Sequence, residues 1–145
     1  MGMGEAPVTA AIAAGLQQAR SEGLRYYHEP VFVAFNIVLT ALQVQPNQGV
    51  ILDPDSDFIW YATFGTQTGI YEVRFRLPDG RYDCNSRIRN ANRVGTGNFP
   101  LPQTVPTLYA AGALIGVDIA DLSNAGNTVQ IIFAGLRRFK TGIQG

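Results

Sequence analysis

Residues 57–82 read DFIWYATFGTQTGIYEVRFRLPDGRY, two runs dense in aromatic and β-branched residues, split by GTQTG and closed by PDG. From Tyr71 the alternation is nearly strict: Tyr71, Val73, Phe75 and Leu77 point one way, Glu72, Arg74 and Arg76 the other. A period of two is what a strand needs to bury one face and wet the other. Pro78-Asp79-Gly80 supplies the turn, because proline pre-sets φ and glycine accepts a positive one. The stretch predicts a β-meander with an apolar face and a charged face. Trp60 alternates with Phe58, Ala62 and Phe64 and is placed on the core side.

The same period extends outward. Strands are predicted over 31–44, 50–52, 57–64, 70–77, 81–88, about 98–109, 112–119 and 128–139, the last two joined as a hairpin through Ser123–Asn127. About eight short strands with turn signals between them imply an antiparallel β-sandwich or jelly roll. Ahead of them, Val8, Ala11, Ile12, Gly15, Leu16 and Ala19 recur at helical spacing between Pro7 and Gly23. One N-terminal α-helix follows from that stripe, with Pro7 in its first turn and Gly23 at its end. A helix of about 15 residues is marginal alone in water, so it must dock on its own sandwich, a neighbouring subunit or another protein. The division is residues 1–29 as helix and connector, with Leu24–Pro30 as the connector, and 30–145 as one sandwich domain. The prolines at 100, 102 and 106 and glycines at 95 and 97 mark 90–107 as an extended loop or arm.

Eleven basic residues balance eleven acidic ones, and charged residues make up only 15% of the 145, a sparse cover that favours association. A single cysteine, Cys84, excludes an intrachain disulfide and a cysteine-based zinc site. The start MGMGEAPV lacks the pattern of a signal peptide, and the most apolar run, 31–44, is too short to span a bilayer. These readings predict cytoplasmic synthesis and no membrane partner.

Candidate sites are few. His28, the one histidine, has no nucleophile or orienting acid nearby in sequence, and the structural reading is favoured. Cys84 lies among arginines that could lower a thiol pKa, but without a second cysteine or a histidine it reads as a small packing residue. Asp53, Asp55 and Asp57 alternate as in the start of a calcium loop, yet the glycine and glutamate of an EF-hand are missing. They are weak metal candidates; turn residues and ion pairing between subunits, with Arg137, Arg138 and Lys140 as the candidates, are the preferred reading. Six arginines at 74, 76, 81, 87, 89 and 93 face only Asp79 and Asp83 within the same stretch, a local excess of four positive charges. Neutral overall charge disfavours nucleic acid and favours a protein interface. The expected partner-contact residues are Arg74, Arg76, Arg87, Arg89, Arg93, Phe99, Arg137 and Arg138. No catalytic residue and no cofactor is expected.

Residues 57–82, together with AGALIGVDIADLSNAGNTVQIIFAGLRRF at 111–139, resemble segments of small virion proteins of tailed bacteriophages. The nearest likeness is to β-sandwich or jelly-roll cement (decoration) proteins of the capsid surface, over residues 30–140. That resemblance implies a non-enzymatic structural protein, without cofactor, bound between major capsid protein subunits and to copies of itself as a dimer or trimer. It implies a virion location, on the capsid. The alternative is a tail, collar or fibre component with a carbohydrate- or receptor-binding jelly roll, for which Trp60, or Tyr61 with Tyr71 or Tyr82, would have to be exposed.

Overall fold

A computed structural model of the chain describes residues 26–140 and, ahead of them, Ile12. Eight strands follow in order: β1 (Tyr26–Leu39), β2 (Val44–Ile51), β3 (Asp57–Gln67), β4 (Tyr71–Arg76), β5 (Ile88–Arg89), β6 (Leu101–Tyr109), β7 (Leu114–Asp121) and β8 (Asn127–Lys140). One short helix, α1 (Asn90–Arg93), is the only helix within 26–140. The strands form two four-stranded antiparallel sheets, ordered β1-β8-β3-β6 and β2-β7-β4-β5. The pairing is nested. First pairs with last, second with seventh, third with sixth and fourth with fifth, as if one long hairpin had been rolled up.

The rolled pairing leaves β1, β6, β2 and β5 at the edges, and this explains where the prolines sit. Pro30 lies in β1, Pro46 in β2, and Pro102 and Pro106 in β6. A proline cannot donate to a ladder, so edge strands are where it does least harm. Proline breaks the regular period, and three boundaries therefore differ from the sequence reading. Residues 26–30 are not a connector but the first part of β1, paired with Leu136–Lys140. The ring of Tyr26 lies under Arg138 at 4.2 Å, and Tyr27 packs against Phe139. The stretch Pro46–Gly49, which separates the predicted strands 31–44 and 50–52, is a register shift inside β2, between Gln45 and Gln48. The chain turns earlier, at Leu42, which takes a left-handed φ of 57°. The 90–107 arm is also shorter than expected. Residues 90–93 are helical, Gly95 and Pro100 bridge a tight turn, and everything from Leu101 belongs to β6.

The fifth strand differs most. A strand was expected over 81–88, but only Ile88 and Arg89 pair with β4, while Tyr82 makes an isolated bridge to Arg76. The Asp83 carboxylate accepts from Phe75 N–H at 3.0 Å, and Asp83 N–H donates to the Phe75 carbonyl at 2.9 Å. With those backbone groups satisfied by one residue, the rest of the segment is free to bend over the sheet. The expected N-terminal helix lies outside the described residues, except for Ile12, which is helical.

The core is the product of the alternation. Tyr71, Val73 and Phe75 are fully buried, as are their counterparts Ile115, Val117 and Ile119 on β7. Leu77, beyond the end of β4, is only partly buried and opens the Pro78–Gly80 turn. Trp60, Phe75 and Phe133 meet edge-on, with centroids 5.4, 5.2 and 5.2 Å apart and rings 77–89° from parallel. β3 and β8 supply two of the rings and β4 the third, so the cluster joins the two sheets. The Trp60 indole N–H donates to the Ala62 carbonyl at 3.0 Å. Such a contact is possible because β3 bulges at Tyr61, between Trp60 and Ala62. Opposite the bulge stands Gly135, whose missing Cβ is the space occupied by the Ile59 carbonyl oxygen.

Phe133→Ala removes the ring shared by both sheets and is expected to cost about 3–5 kcal/mol in denaturant unfolding. Gly135→Ala should cost about 1–3 kcal/mol by overpacking against backbone that cannot move aside. Tyr71→Phe should be neutral or mildly stabilising, because the buried Tyr71 hydroxyl has no hydrogen-bond partner among the described residues.

Candidate functional site

β4 turns Glu72, Arg74 and Arg76 away from the core, and β7 turns Gly116 and Asp118 the same way. The register places Arg74 beside Asp118 and Arg76 beside Gly116. Arg74 Nε donates to Asp118 Oδ2 at 2.7 Å, and Arg87 Nη1 donates to Asp118 Oδ1 at 3.0 Å. Arg87 Nε also donates to Glu72 Oε1 at 3.0 Å, closing a chain of four charges. Hydrogen bonding to Glu72 above all, and to Asp118, raises the Arg87 pKa. Asp118 faces outward, yet only 1% of its side chain is exposed, because the segment from Tyr82 to Arg87 folds over it. Tyr82 lies beneath both Arg74, at 3.7 Å, and Arg76, at 4.7 Å, and its hydroxyl accepts from Arg76 Nη2 at 2.8 Å.

Arg93, at the end of α1, reaches the Asp83 carboxylate at 2.6 Å and the Gln103 side-chain carbonyl at 3.0 Å. Its guanidinium lies 5.1 Å from the Trp60 ring and 4.8 Å from the Phe75 ring, capping the core. Arg74, Arg76, Arg87 and Arg93 are therefore occupied within the chain. Arg89 is exposed on β5 and makes no ion pair among the described residues. Two of the four excess positive charges counted along the sequence are met by Asp118 and Glu72, which lie outside the counted stretch; the other two are Arg76, bonded to the Tyr82 hydroxyl, and the exposed Arg89.

At the other candidate cluster the pairing of acids with arginines is intramolecular. Arg137 Nη1 donates to Asp53 at 3.2 Å and Arg138 Nη2 to Asp57 at 2.9 Å. Arg137 Nε also lies 3.2 Å from Glu29, an ion pair whose N–H is not aligned as a hydrogen bond. Asp57 accepts from Ala111 N–H as well. Asp55 is exposed on the same loop. Among the described residues no group of three or more His, Cys, Asp or Glu side chains is placed to hold a metal ion. The Cys84 thiol pKa is raised, first by burial and then by Asp83, opposite to the lowering considered from its arginine neighbours. His28 lies in β1, paired with Arg138, with the Tyr26 ring edge-on to it at 6.4 Å. Tyr61 and Tyr71 are buried with Trp60. Phe99 is 66% exposed at the turn before β6, and Val105 and Leu108 on β6 are 70% and 43% exposed.

Two residues that sequence reasoning passed over organise one end of the sandwich. Asp121 ends β7 and is buried, and its carboxylate accepts from Leu42 N–H at 2.9 Å, Ser123 Oγ at 2.6 Å and Asn124 N–H at 3.0 Å. Asn127 Nδ2 donates to Asp121 at 3.1 Å and to the Gly69 carbonyl at 2.8 Å, while its Oδ1 accepts from Gly69 N–H at 3.0 Å. Three turns, β1–β2, β3–β4 and β7–β8, are thus tied by two side chains. The signal was present in DLSNAGN, where an aspartate precedes the Ser123–Asn127 turn, but the partners at Leu42 and Gly69 are remote in sequence.

The other sheet turns an apolar face outward. Ile59, Tyr61 and Leu136 form a buried cluster there, and the rings of Phe32 and Phe64 meet at 6.1 Å beside it. A hollow of about 150 Å³ opens between these residues, and Ile12 lines it. No protein-family model and no curated protein matches this chain.

Burial alone would raise the Asp121 pKa, but hydrogen bonds from Ser123, Leu42 and Asn127 outweigh it and hold the carboxyl far below the usual range. A group depressed on folding stabilises the protein fully above its unfolded pKa, about 3.9, and loses that contribution as pH falls further. Asp121→Asn should lower stability at neutral pH and flatten the loss below about pH 4, measured by thermal melts across pH. Asp118→Ala should cost about 2–3 kcal/mol by stranding Arg74 and Arg87, a loss read in urea unfolding.

Proposed function

We propose that the chain is a non-enzymatic structural protein of a virus particle, a cement or decoration protein that lies between major capsid protein subunits and stabilises the shell. It would act with copies of itself, as a dimer or trimer, on the capsid surface after synthesis in the host cytoplasm. The nested pairing of eight strands supports this reading, since it is the rolled arrangement of a jelly roll, an architecture used in viral capsid domains. The observation that carries it is the β6 margin. Phe99 in the turn before β6, with Val105 and Leu108 on it, presents exposed apolar side chains along one edge strand, whose outer backbone groups have no neighbouring strand among the described residues. An unpaired edge with apolar side chains is a surface that a partner covers.

This margin also revises where contact is expected. Arg74, Arg87, Arg93, Arg137 and Arg138 serve the chain's own acids and Arg76 the Tyr82 hydroxyl, so of the eight residues first named, Phe99 and Arg89 remain open to a partner. Lattice proteins that hold through exposed apolar edges need no excess charge, which agrees with eleven basic residues balanced by eleven acidic ones.

The test is sedimentation of the purified chain with capsid shells assembled from the major capsid protein of the same virus, followed by heating of the decorated shells. Binding and a raised disruption temperature are expected. Phe99→Asp with Val105→Asp should abolish both while leaving the melting temperature of the free protein unchanged. A chain that never sediments with shells overturns the proposal.

A further inference from the structure

The four edge strands are not equally protected. β5 is two residues long, and β2 carries Pro46 and a register shift between Gln45 and Gln48. β6 carries Pro102 and Pro106, and its ladder to β3 breaks between Trp60 and Ala62. Short length, proline, charge and irregular register are the devices that stop a sheet edge from pairing with another chain. After Pro30, β1 has none of them. From Val31 to Leu39 it reads VFVAFNIVL, nine residues without charge, proline or glycine. These nine pair with β8 in unbroken register, and no described strand lies on their other side.

Both faces of this edge are incompletely covered. Val31, Val33 and Ile37 point to the core but are only partly buried. Phe32 and Val38, pointing the other way, are 67% and 70% exposed. β-branched and aromatic residues in such a run favour strand pairing. We infer that β1 is a self-recognition edge: it pairs antiparallel with β1 of a second copy, joining two four-stranded sheets into one of eight. The strand is complementary to itself. A two-fold axis at Phe35 overlaps the whole uncharged stretch, so each contact is made twice. On the outer face, Phe32 of each copy then meets Val38 of the other, an aromatic against a β-branched residue, and Ala34 meets Asn36. On the core side Val33 meets Ile37 and Val31 meets Leu39, which extends the apolar cover over residues that one copy leaves half-exposed. Glu29, the nearest charge, falls opposite Ala41 beyond the strand end, so no like charges are opposed. A foreign strand would have to match the same uncharged run by chance, whereas a second copy carries it by construction.

The test needs no capsid shells. Sedimentation equilibrium of the full-length chain should give twice the chain mass at micromolar concentration. Ala34→Lys with Asn36→Lys, both at exposed positions, sets lysines opposite lysines and should give a monomer with an unchanged circular dichroism spectrum. Ala34→Glu with Asn36→Glu should do the same. An equimolar mixture of the two variants should restore the dimer, a rescue that misfolded chains cannot give. In the unsubstituted protein, amide exchange should be slow throughout Val31–Leu39, including the alternate amides that do not face β8. A monomer at every concentration assigns the edge to a different protein and overturns the inference, and a trimer overturns it because paired edges close as two. A dimer that persists in both charged variants, a mixture that stays monomeric, or fast exchange at the outward amides also overturns it. Any of these results leaves co-sedimentation to decide the shell reading, and a dimer that never sediments with shells overturns that reading alone.

Discussion

Trp60, Phe75 and Phe133 meet edge to face across the gap between the sheets, and much else in the molecule is arranged so that they can. Edge-on aromatic contacts favour one relative placement of the rings, unlike aliphatic packing, which tolerates sliding. Fixing these rings fixes the register of β4 against β3 and β8. The bulge at Tyr61 turns the indole N–H to the Ala62 carbonyl, and Gly135 makes room for the displaced strand. Arg93 then closes the cluster from the side, its charge met by Asp83 and its Nη2 also donating to the Gln103 side-chain carbonyl. A guanidinium over aromatic rings is stable there because both its charge and its N–H groups are answered.

The polar groups follow a consistent division of labour. Asp83 holds the β4 backbone and Arg93, Asp118 joins two arginines, and Asp121 with Asn127 ties three turns. Asp118 is satisfied by arginines 31 and 44 residues away, and Asp121 joins its own turn to Leu42, 79 residues away. Their joint effect is to leave the charged side chains turned inward on one another, while apolar residues such as Phe99 and Val105 stand exposed. A surface of this kind suits durable contact better than electrostatic steering, which requires unmatched charge.

Several elements were legible because they depend on nearest neighbours. Strict alternation from Tyr71 to Phe75 placed those residues in the core, Gly80 takes the positive φ that the Pro78–Gly80 turn required, and Trp60 lies where its period put it. The errors share one cause. Pro30, Pro46 and the prolines of β6 look like breakers in sequence, and whether they break a strand depends on whether that strand is at an edge. Edge position is a property of the completed pairing, in which β1 finds β8 across the whole chain. The arginine cluster misled for the same reason: a count along residues 74–93 omits Asp118, which the β4–β7 register brings alongside.

The sequence by itself determined the β-class, the two-faced character of the strands and most of the turns, because side-chain alternation and turn chemistry are local. Tertiary structure alone decided the nested order of the strands and the partners of Arg74, Arg76, Arg87 and Arg93. Those outcomes depend on which remote segments come together. For the meander at 57–82, its charged side became a closed network with Asp118, and its apolar side became the ring cluster that holds the two sheets together.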